Sequence, residues 1–221
     1  MFKRAFTLIE LLVVISVITL LMALLMPALT RARLSARVLV VNAELSNICL
    51  GLEGYSLDNN NQYPPTRADC NPNARKHVYA LPAELVTSSY LPAGQQGKIK
   101  FAAMEDEFFH GYAYKYIAVG DLYDYRGTPM GKQSFYLPDN YPQNELGLLT
   151  KYNNRQNSPV SWVVFSVGPG FNKDSLEQKT FPIKDGYPFL NKFLYTNKTN
   201  KGVISRMRLK NGTITSGMLQ R

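Results

Sequence analysis

One run near the N-terminal end limits what this chain can fold into. From Phe6 to Met26, 21 residues are interrupted only by Thr7, Glu10, Ser16 and Thr19. A membrane-spanning helix needs ~20 mostly apolar residues, and this run supplies them. The Thr and Ser hydroxyls can return to the helix backbone, but the carboxylate of Glu10 has no such outlet. An Asp at the centre of a span costs ~3 kcal/mol, and ionisable groups inside spans usually have a counterpart or a role. Glu10 lies near one end, which lowers the cost without explaining the residue.

Three readings fit the run. A cleavable secretory signal has an apolar core of ~7–15 residues and a small-residue cleavage site after it. Here the run is longer and passes through Pro27, Ala28 and Leu29 into an Arg-rich segment. A plain single-pass anchor fits the length and leaves Glu10 idle. In the third reading the chain is cut ahead of the run, after Ala5, and the new amino terminus at Phe6 is put to use.

The stretch Ala5-Phe6-Thr7-Leu8-Ile9-Glu10-Leu11-Leu12-Val13-Val14-Ile15 resembles the class III signal of type IV pilins and type II secretion pseudopilins. In that family a prepilin peptidase cuts between a small residue and Phe and then methylates the Phe amine. The resemblance places cleavage and methylation at Ala5 and Phe6, the family's assembly Glu at Glu10, and its helix-kinking Pro at Pro27. The family's residue before the cut is Gly; Ala5 is the nearest in size, and cleavage is expected. The physics of Glu10 then follows. The freed Phe6 amine and the Glu10 carboxylate are both costly in lipid and can neutralise each other, most usefully between neighbouring subunits. The charge count around the span, Lys3 and Arg4 before it against Arg31, Arg33 and Arg37 after it, would by itself argue for the opposite orientation. The leader motif outweighs it, because arginines next to a span can meet anionic headgroups on either side.

Beyond Pro27 the apolar pattern changes from continuous to striped. Leu34, Val38, Val41, Leu45, Ile48, Leu52 and Tyr55 recur at steps of four and three, one face of a helix. Arg33, Arg37, Glu44, Ser46 and Glu53 are assigned to the opposite face. Pro27 removes one backbone hydrogen bond and permits a kink without ending the helix. Asp58-Asn59-Asn60-Asn61 ends it, since these side chains compete for backbone bonds. About fifty residues at ~1.5 Å rise reach roughly 75 Å. The expected parts are a leader at 1–5, a transmembrane and assembly helix at 6–29, an amphipathic spine at 30–57 and a β-rich head at 58–221. The fold class is α+β, a long helix on a small antiparallel sheet.

Within the head, Leu52 to Asn59 followed by Tyr63-Pro64-Pro65 resembles a pseudopilin helix end, and Leu81 to Pro92 resembles the short helix region of large pseudopilin-like proteins. Thr66 to Arg75 reads as loop. Gly111–Val119 and Ser161–Val167 read as strands, the second stopped by Gly168-Pro169-Gly170. Val203–Leu209 and Thr213–Met218 flank Asn211-Gly212, the preferred type I′ hairpin turn. Tyr123 to Arg155, rich in Pro, Gly, Asn and Tyr, reads as a long insertion.

Chemistry is sparse. His77 and His110 belong to no metal or catalytic array, and Glu105-Asp106-Glu107 reads as a solvated acidic loop, so an enzyme is not expected. Ser166 to Asp174 resembles a pseudopilin calcium loop. The expected Asp is Gly170, however, and only Asn172 and Asp174 remain as side-chain ligands beside an unhelpful Lys173. Calcium favours six to eight oxygens, so the loop reads as degraded and no cofactor is expected. Cys49 and Cys70 are either two thiols or one disulfide, which geometry decides. The net charge of +9, from 25 Lys and Arg against 16 Asp and Glu, is compatible with an acidic partner such as nucleic acid. Without a block of like charge, a solvated basic surface is the preferred reading.

The resemblance thus implies a structural subunit of a type II secretion pseudopilus or type IV pilus-like filament. Its implied partners are a prepilin peptidase, other pilin subunits and an inner-membrane assembly platform, with the head on the extracytoplasmic side of the membrane. The alternative is a minor pilin acting as a DNA-binding or adhesive module, drawing on Lys198, Lys201, Arg206, Arg208 and Lys210.

Overall fold

The computed structural model describes residues 7–68, 79–96, 99–102, 104–124, 126–138, 149–170 and 193–216. By its contacts the chain divides into two compact units, 1–39 and 40–221. A single helix, α1 (Leu8–Asp58), contributes to both, with Pro27 inside it.

In the first unit every described residue up to Arg33 is exposed. Ser16 and Thr19 donate to the carbonyls of Val13 and Ile15 at 2.8 and 2.7 Å, the outlet expected for hydroxyls in an apolar helix. The most apolar window of α1 has a mean hydropathy of 2.9 and is 0% buried. It is long and apolar enough to cross a membrane and is not the buried core helix of this fold.

In the second unit α1 changes character. Val41, Leu45, Ile48 and Leu52 are all 0% exposed, so the predicted stripe is a core face from Val41 onward. The helix ends where expected. The Asn59 amide donates to the Tyr55 carbonyl at 2.8 Å, and Asn60 and Asn61 take positive φ of 54° and 58°, a left-handed conformation that Asn tolerates best after Gly.

The chain continues with β1 (Thr66–Arg67), α2 (Glu84–Thr87), β2 (Ala93–Gln96), β3 (Ile99–Ala102), β4 (Glu105–Asp106), β5 (Phe109–Ala113), β6 (Lys115–Ala118) and β7 (Gly120–Tyr123). After these come β8 (Pro129–Gln133), β9 (Phe135–Pro138), β10 (Leu149–Tyr152), β11 (Val160–Ser166), β12 (Ile204–Leu209) and β13 (Ile214–Ser216). The largest described sheet is antiparallel in the order β13-β12-β11-β6. Smaller antiparallel pairs join β2 to β3, β4 to β5 and β9 to β10, while β7 pairs antiparallel with β8 and parallel with β1. The class is α+β.

Burial of β11 on both faces explains its nearly unbroken apolar sequence. Val163 and Phe165 join Ile117, Val119 and Met207 in a cluster completed by Phe135 and Leu137 of β9. Trp162 lies on the other face, opposite Arg208 in the ladder. Arg208 Nε bonds Glu53 Oε1 of α1 at 2.9 Å, so α1 covers that face.

Several sequence expectations need correction. Glu44 and Glu53 are not solvent-face residues. Glu44 accepts from the Tyr114 hydroxyl, and Glu53 from both Arg208 and the Tyr63 hydroxyl, the latter at 2.8 Å. The strand read over Gly111–Val119 is two strands, β5 and β6, interrupted at Tyr114. Residues 112–120 are all buried, which removes the alternation that would have marked the break. Thr66-Arg67, read as loop, pairs with Leu122-Tyr123. The supposed insertion over Tyr123–Arg155 contains strand β8 and the β9–β10 pair. Asp106 is 0% exposed rather than solvated, whereas His110 nearby is exposed.

The β12–β13 pair is antiparallel as predicted, but its turn is not type I′. Gly212 N bonds the Leu209 carbonyl, Leu209 N bonds the Thr213 carbonyl, and of the turn residues only Gly212 has positive φ, at 93°. This is a three-residue loop closing on a glycine bulge.

Candidate functional site

The described part of the signal begins at Thr7, which caps α1. Its hydroxyl accepts from Glu10 N at 3.3 Å and donates to Glu10 Oε2 at 2.8 Å, while Thr7 N donates to the same oxygen at 2.9 Å. This is a capping box: a Ser or Thr before the first helical residue and a Glu three positions on satisfy each other's backbone donors. The pattern was readable as Thr7-x-x-Glu10 ahead of an apolar run, and sequence reasoning assigned Glu10 without noticing Thr7. Two backbone donors that lipid could not satisfy are thereby satisfied. Both residues lie after the Ala5–Phe6 bond, so the box is present with or without residues 1–5.

Pro27 sits inside the helix, and the Thr30 hydroxyl donates to its carbonyl at 2.9 Å. Apolar side chains on both sides of it are open, Leu24, Leu25 and Met26 before it at 70%, 65% and 65% exposure and Leu29 after it at 53%. Leaving such a side chain in water forgoes about 1.5–3 kcal/mol each. This segment therefore presents a continuous apolar surface with one carboxylate at its start.

In the head, Arg208 links three groups. It bonds Glu53, lies over the Tyr63 ring at 5.0 Å, and Tyr63 meets Trp162 edge-on at 5.9 Å. Burial pushes the Tyr63 hydroxyl up to about 12, with the Glu53 carboxylate adding to the effect. Tyr63 therefore stays protonated as donor to Glu53. Lys210 donates to the Gln156 carbonyl. Of the five cations that a nucleic-acid face would use, these two are thus already engaged.

Asp106 is the second polar centre and was missed in sequence. It accepts from Ser166 Oγ at 2.7 Å, Val167 N at 2.8 Å and Phe108 N at 2.9 Å. Burial raises its carboxyl despite these bonds. It fastens the β4–β5 turn to the end of β11, just ahead of the Gly168 turn. A Cβ on Gly168 would lie 1.8 Å from the Gly202 carbonyl oxygen, so only glycine fits there.

Cys49 is a buried free thiol, pushed by that burial to about 12. Ala5, Phe6, Cys70, His77, Asn172 and Asp174 lie outside the described residues. Among the described residues no group of three or more His, Cys, Asp or Glu is placed to hold a metal.

Residues 1–26 match a family model described as the prokaryotic N-terminal methylation motif, the prepilin-type cleavage and methylation signal of type IV pilins and pseudopilins. No curated protein and no solved structure matches the chain. The match supports a type IV pilin-like or pseudopilin protein, structural rather than enzymatic in kind. It implies processing by a prepilin peptidase and assembly with other pilin subunits. With the apolar helix, it fits a membrane-anchored protein.

Proposed function

We propose that this chain, which carries a prepilin-type signal over residues 1–26, is a structural subunit of a type II secretion pseudopilus or a related type IV pilus-like filament. The prepilin peptidase removes residues 1–5 and methylates Phe6. Residues 6–29 anchor the protein in the inner membrane, 30–57 form the spine of the head, and 58–221 form the head on the extracytoplasmic side. Filament assembly transfers the apolar segment from lipid into a bundle of like helices.

One observation carries this reading: a continuous apolar helix face, fully exposed in the protomer, with a single carboxylate at its start. Lipid alone would favour Leu at position 10. A bundle in which a neighbour's freed Phe6 amine meets the Glu10 carboxylate favours Glu. The capping box makes Glu10 tolerable in the lone protomer, and the pairing makes it useful in the assembly. Pro27 marks the point at which the helix can bend to fit its neighbours.

Two measurements in the native host test this. N-terminal mass spectrometry should find the mature chain beginning at a methylated Phe6; a start at Met1, or after Ala28, would overturn the processing. Glu10→Leu and Glu10→Gln should both insert into membrane and both fail to enter sheared filaments. Normal incorporation of both variants would remove the assembly role. A DNA-binding role is weaker, because Arg208 and Lys210 already bond Glu53 and the Gln156 carbonyl. Absence of DNA binding at low salt would dispose of it.

A further inference from the structure

From Leu11 to Thr30, a window of 20 residues, α1 carries no acidic or basic side chain. The polar side chains of this window are Ser16, Thr19 and Thr30. Each returns its hydroxyl to a carbonyl of the same helix, at 2.8, 2.7 and 2.9 Å, so none of them needs a partner outside it. At ~1.5 Å per residue the window is ~30 Å long, the thickness of a bilayer's hydrocarbon core. The capping box closes one end of it at Glu10. At the other end stand Arg31, Arg33 and Arg37, all exposed. With the window filling the core, Arg31 falls at the boundary. Arg33 and Arg37 follow ~3 and ~9 Å further along the axis, through a headgroup layer ~5–7 Å deep. No Asp or Glu lies between Glu10 and Glu44, so the helix places no acid three or four residues from any of these arginines.

We propose that Arg31, Arg33 and Arg37 form a binding surface for anionic phospholipid headgroups, which fixes the depth of the helix in the bilayer. The inference rests on the reading that α1 spans the membrane, and it places the surface at the extracytoplasmic leaflet. Geometry favours lipid over a protein partner. Arg33 and Arg37, four residues apart, share a face, whereas Arg31 lies roughly 160° round the helix from Arg33. A docked protein covers one face of a helix; headgroups surround it. The chemistry agrees, because all three side chains are Arg, whose planar fork takes two phosphate oxygens at once where Lys offers a point charge. Three arginines beyond the span also run against the usual charge bias of membrane insertion, a cost that anionic headgroups offset.

The test is native mass spectrometry of the full chain released from detergent micelles, titrated with phosphatidylglycerol and, separately, with zwitterionic phosphatidylcholine. Each arginine near an anionic surface contributes a factor of about five. Phosphatidylglycerol should therefore bind on the order of a hundredfold more tightly than phosphatidylcholine. Arg31→Gln, Arg33→Gln and Arg37→Gln should each lower that preference about fivefold, and the triple variant should lose it. Replacing Lys198 and Lys201, exposed cations of the head, by Gln should leave the preference intact, which separates a site from net charge. Glycerol 3-phosphate carries the phosphate without acyl chains and should not displace the lipid at millimolar concentration. Equal binding of the two lipids overturns the proposal, as does a preference that survives in the triple variant. Displacement by glycerol 3-phosphate, or an equal loss in the lysine variant, does the same. Gln is a good helix former; if the triple variant still fails to fold, the three single variants decide. Carbonate extraction of native membranes tests the spanning reading apart from this one. An extracted chain overturns that reading and the surface with it, whereas a retained chain with no lipid preference overturns the surface alone.

Discussion

The two parts of α1 obey different rules although they belong to one helix. Around Leu12 to Leu29 the helix is apolar on every side and exposed on every side, Leu12 at 54% and Leu29 at 53%. From Val41 onward it is apolar along one stripe, and that stripe is buried to 0% at Val41, Leu45, Ile48 and Leu52. A continuous apolar surface cannot be satisfied by one domain lying along one side of it. A stripe can. The pattern of apolar residues, rather than their number, tells which part of the helix is completed within the chain and which requires lipid or other helices.

The largest effect follows from placing the same charge in both parts. Leu45→Asp puts a carboxylate where no water reaches and should unfold the head, at a cost on the order of 5 kcal/mol, comparable to the whole stability of a small domain. Leu12→Asp should leave the melting of the head unchanged and instead reduce membrane recovery. Circular dichroism of the full chain in detergent and membrane fractionation read the two outcomes. A folded Leu45→Asp variant would show that the stripe faces other subunits, erasing the difference between the two parts.

Next in size is Asp106, the head's own buried carboxylate. Asp106→Ala strands the Ser166 hydroxyl and the Val167 and Phe108 amides, and should cost on the order of 3 kcal/mol. The pH dependence gives a sharper test. Because burial raises the folded carboxyl above its unfolded value, the folded state holds the extra proton between the two values. Its stability relative to Asp106→Asn should therefore fall as pH rises from about 4, the unfolded value, up through the folded one, and then level off. Urea melts of both proteins across that range measure the difference. A difference that grew with pH would mean that the hydrogen bonds to the carboxylate outweigh its desolvation.

How much of this was legible depends on where each signal resides. The apolar run, the stripe, the Asn stop after Asp58 and strand β11 are periodic or compositional, and sequence reasoning reads such features directly. Asp106 was misread because its neighbours Glu105 and Glu107 make an acidic triplet, which implies solvent; its burial depends on Ser166, sixty residues away. Phe135 and Leu137 were lost in a tract whose Pro, Gly and Asn content suggests loop, although their alternation was there to be seen. Glu44 and Glu53 were assigned to solvent by helical position alone. The hydroxyl of Tyr114 comes from the break between β5 and β6 and the guanidinium of Arg208 from β12, and no local pattern connects either to the helix. Thr7 is a different kind of miss, since its signal was local and complete.

That residue gives the smallest effect and the finest test of what Glu10 does. Thr7→Ala removes the hydroxyl that accepts from Glu10 N and donates to its carboxylate, while leaving the charge at position 10 in place. Losing an N-cap of this kind costs about 1 kcal/mol, confined to the first turn of α1, and the head should not register it. Amide exchange at residues 8–11 should accelerate in micelles, with no change in exchange beyond Val41. Ser at position 7 retains the hydroxyl and should restore protection. If Glu10 serves only as a cap, Thr7→Ala and Glu10→Gln should impair filament entry to a similar small degree. If it also neutralises a neighbour's amine, Glu10→Gln should be far more defective than Thr7→Ala, because the cap costs about 1 kcal/mol and an unpaired charge in low dielectric costs several. The ratio of the two incorporation levels, measured side by side in the native host, separates the local role from the assembly role.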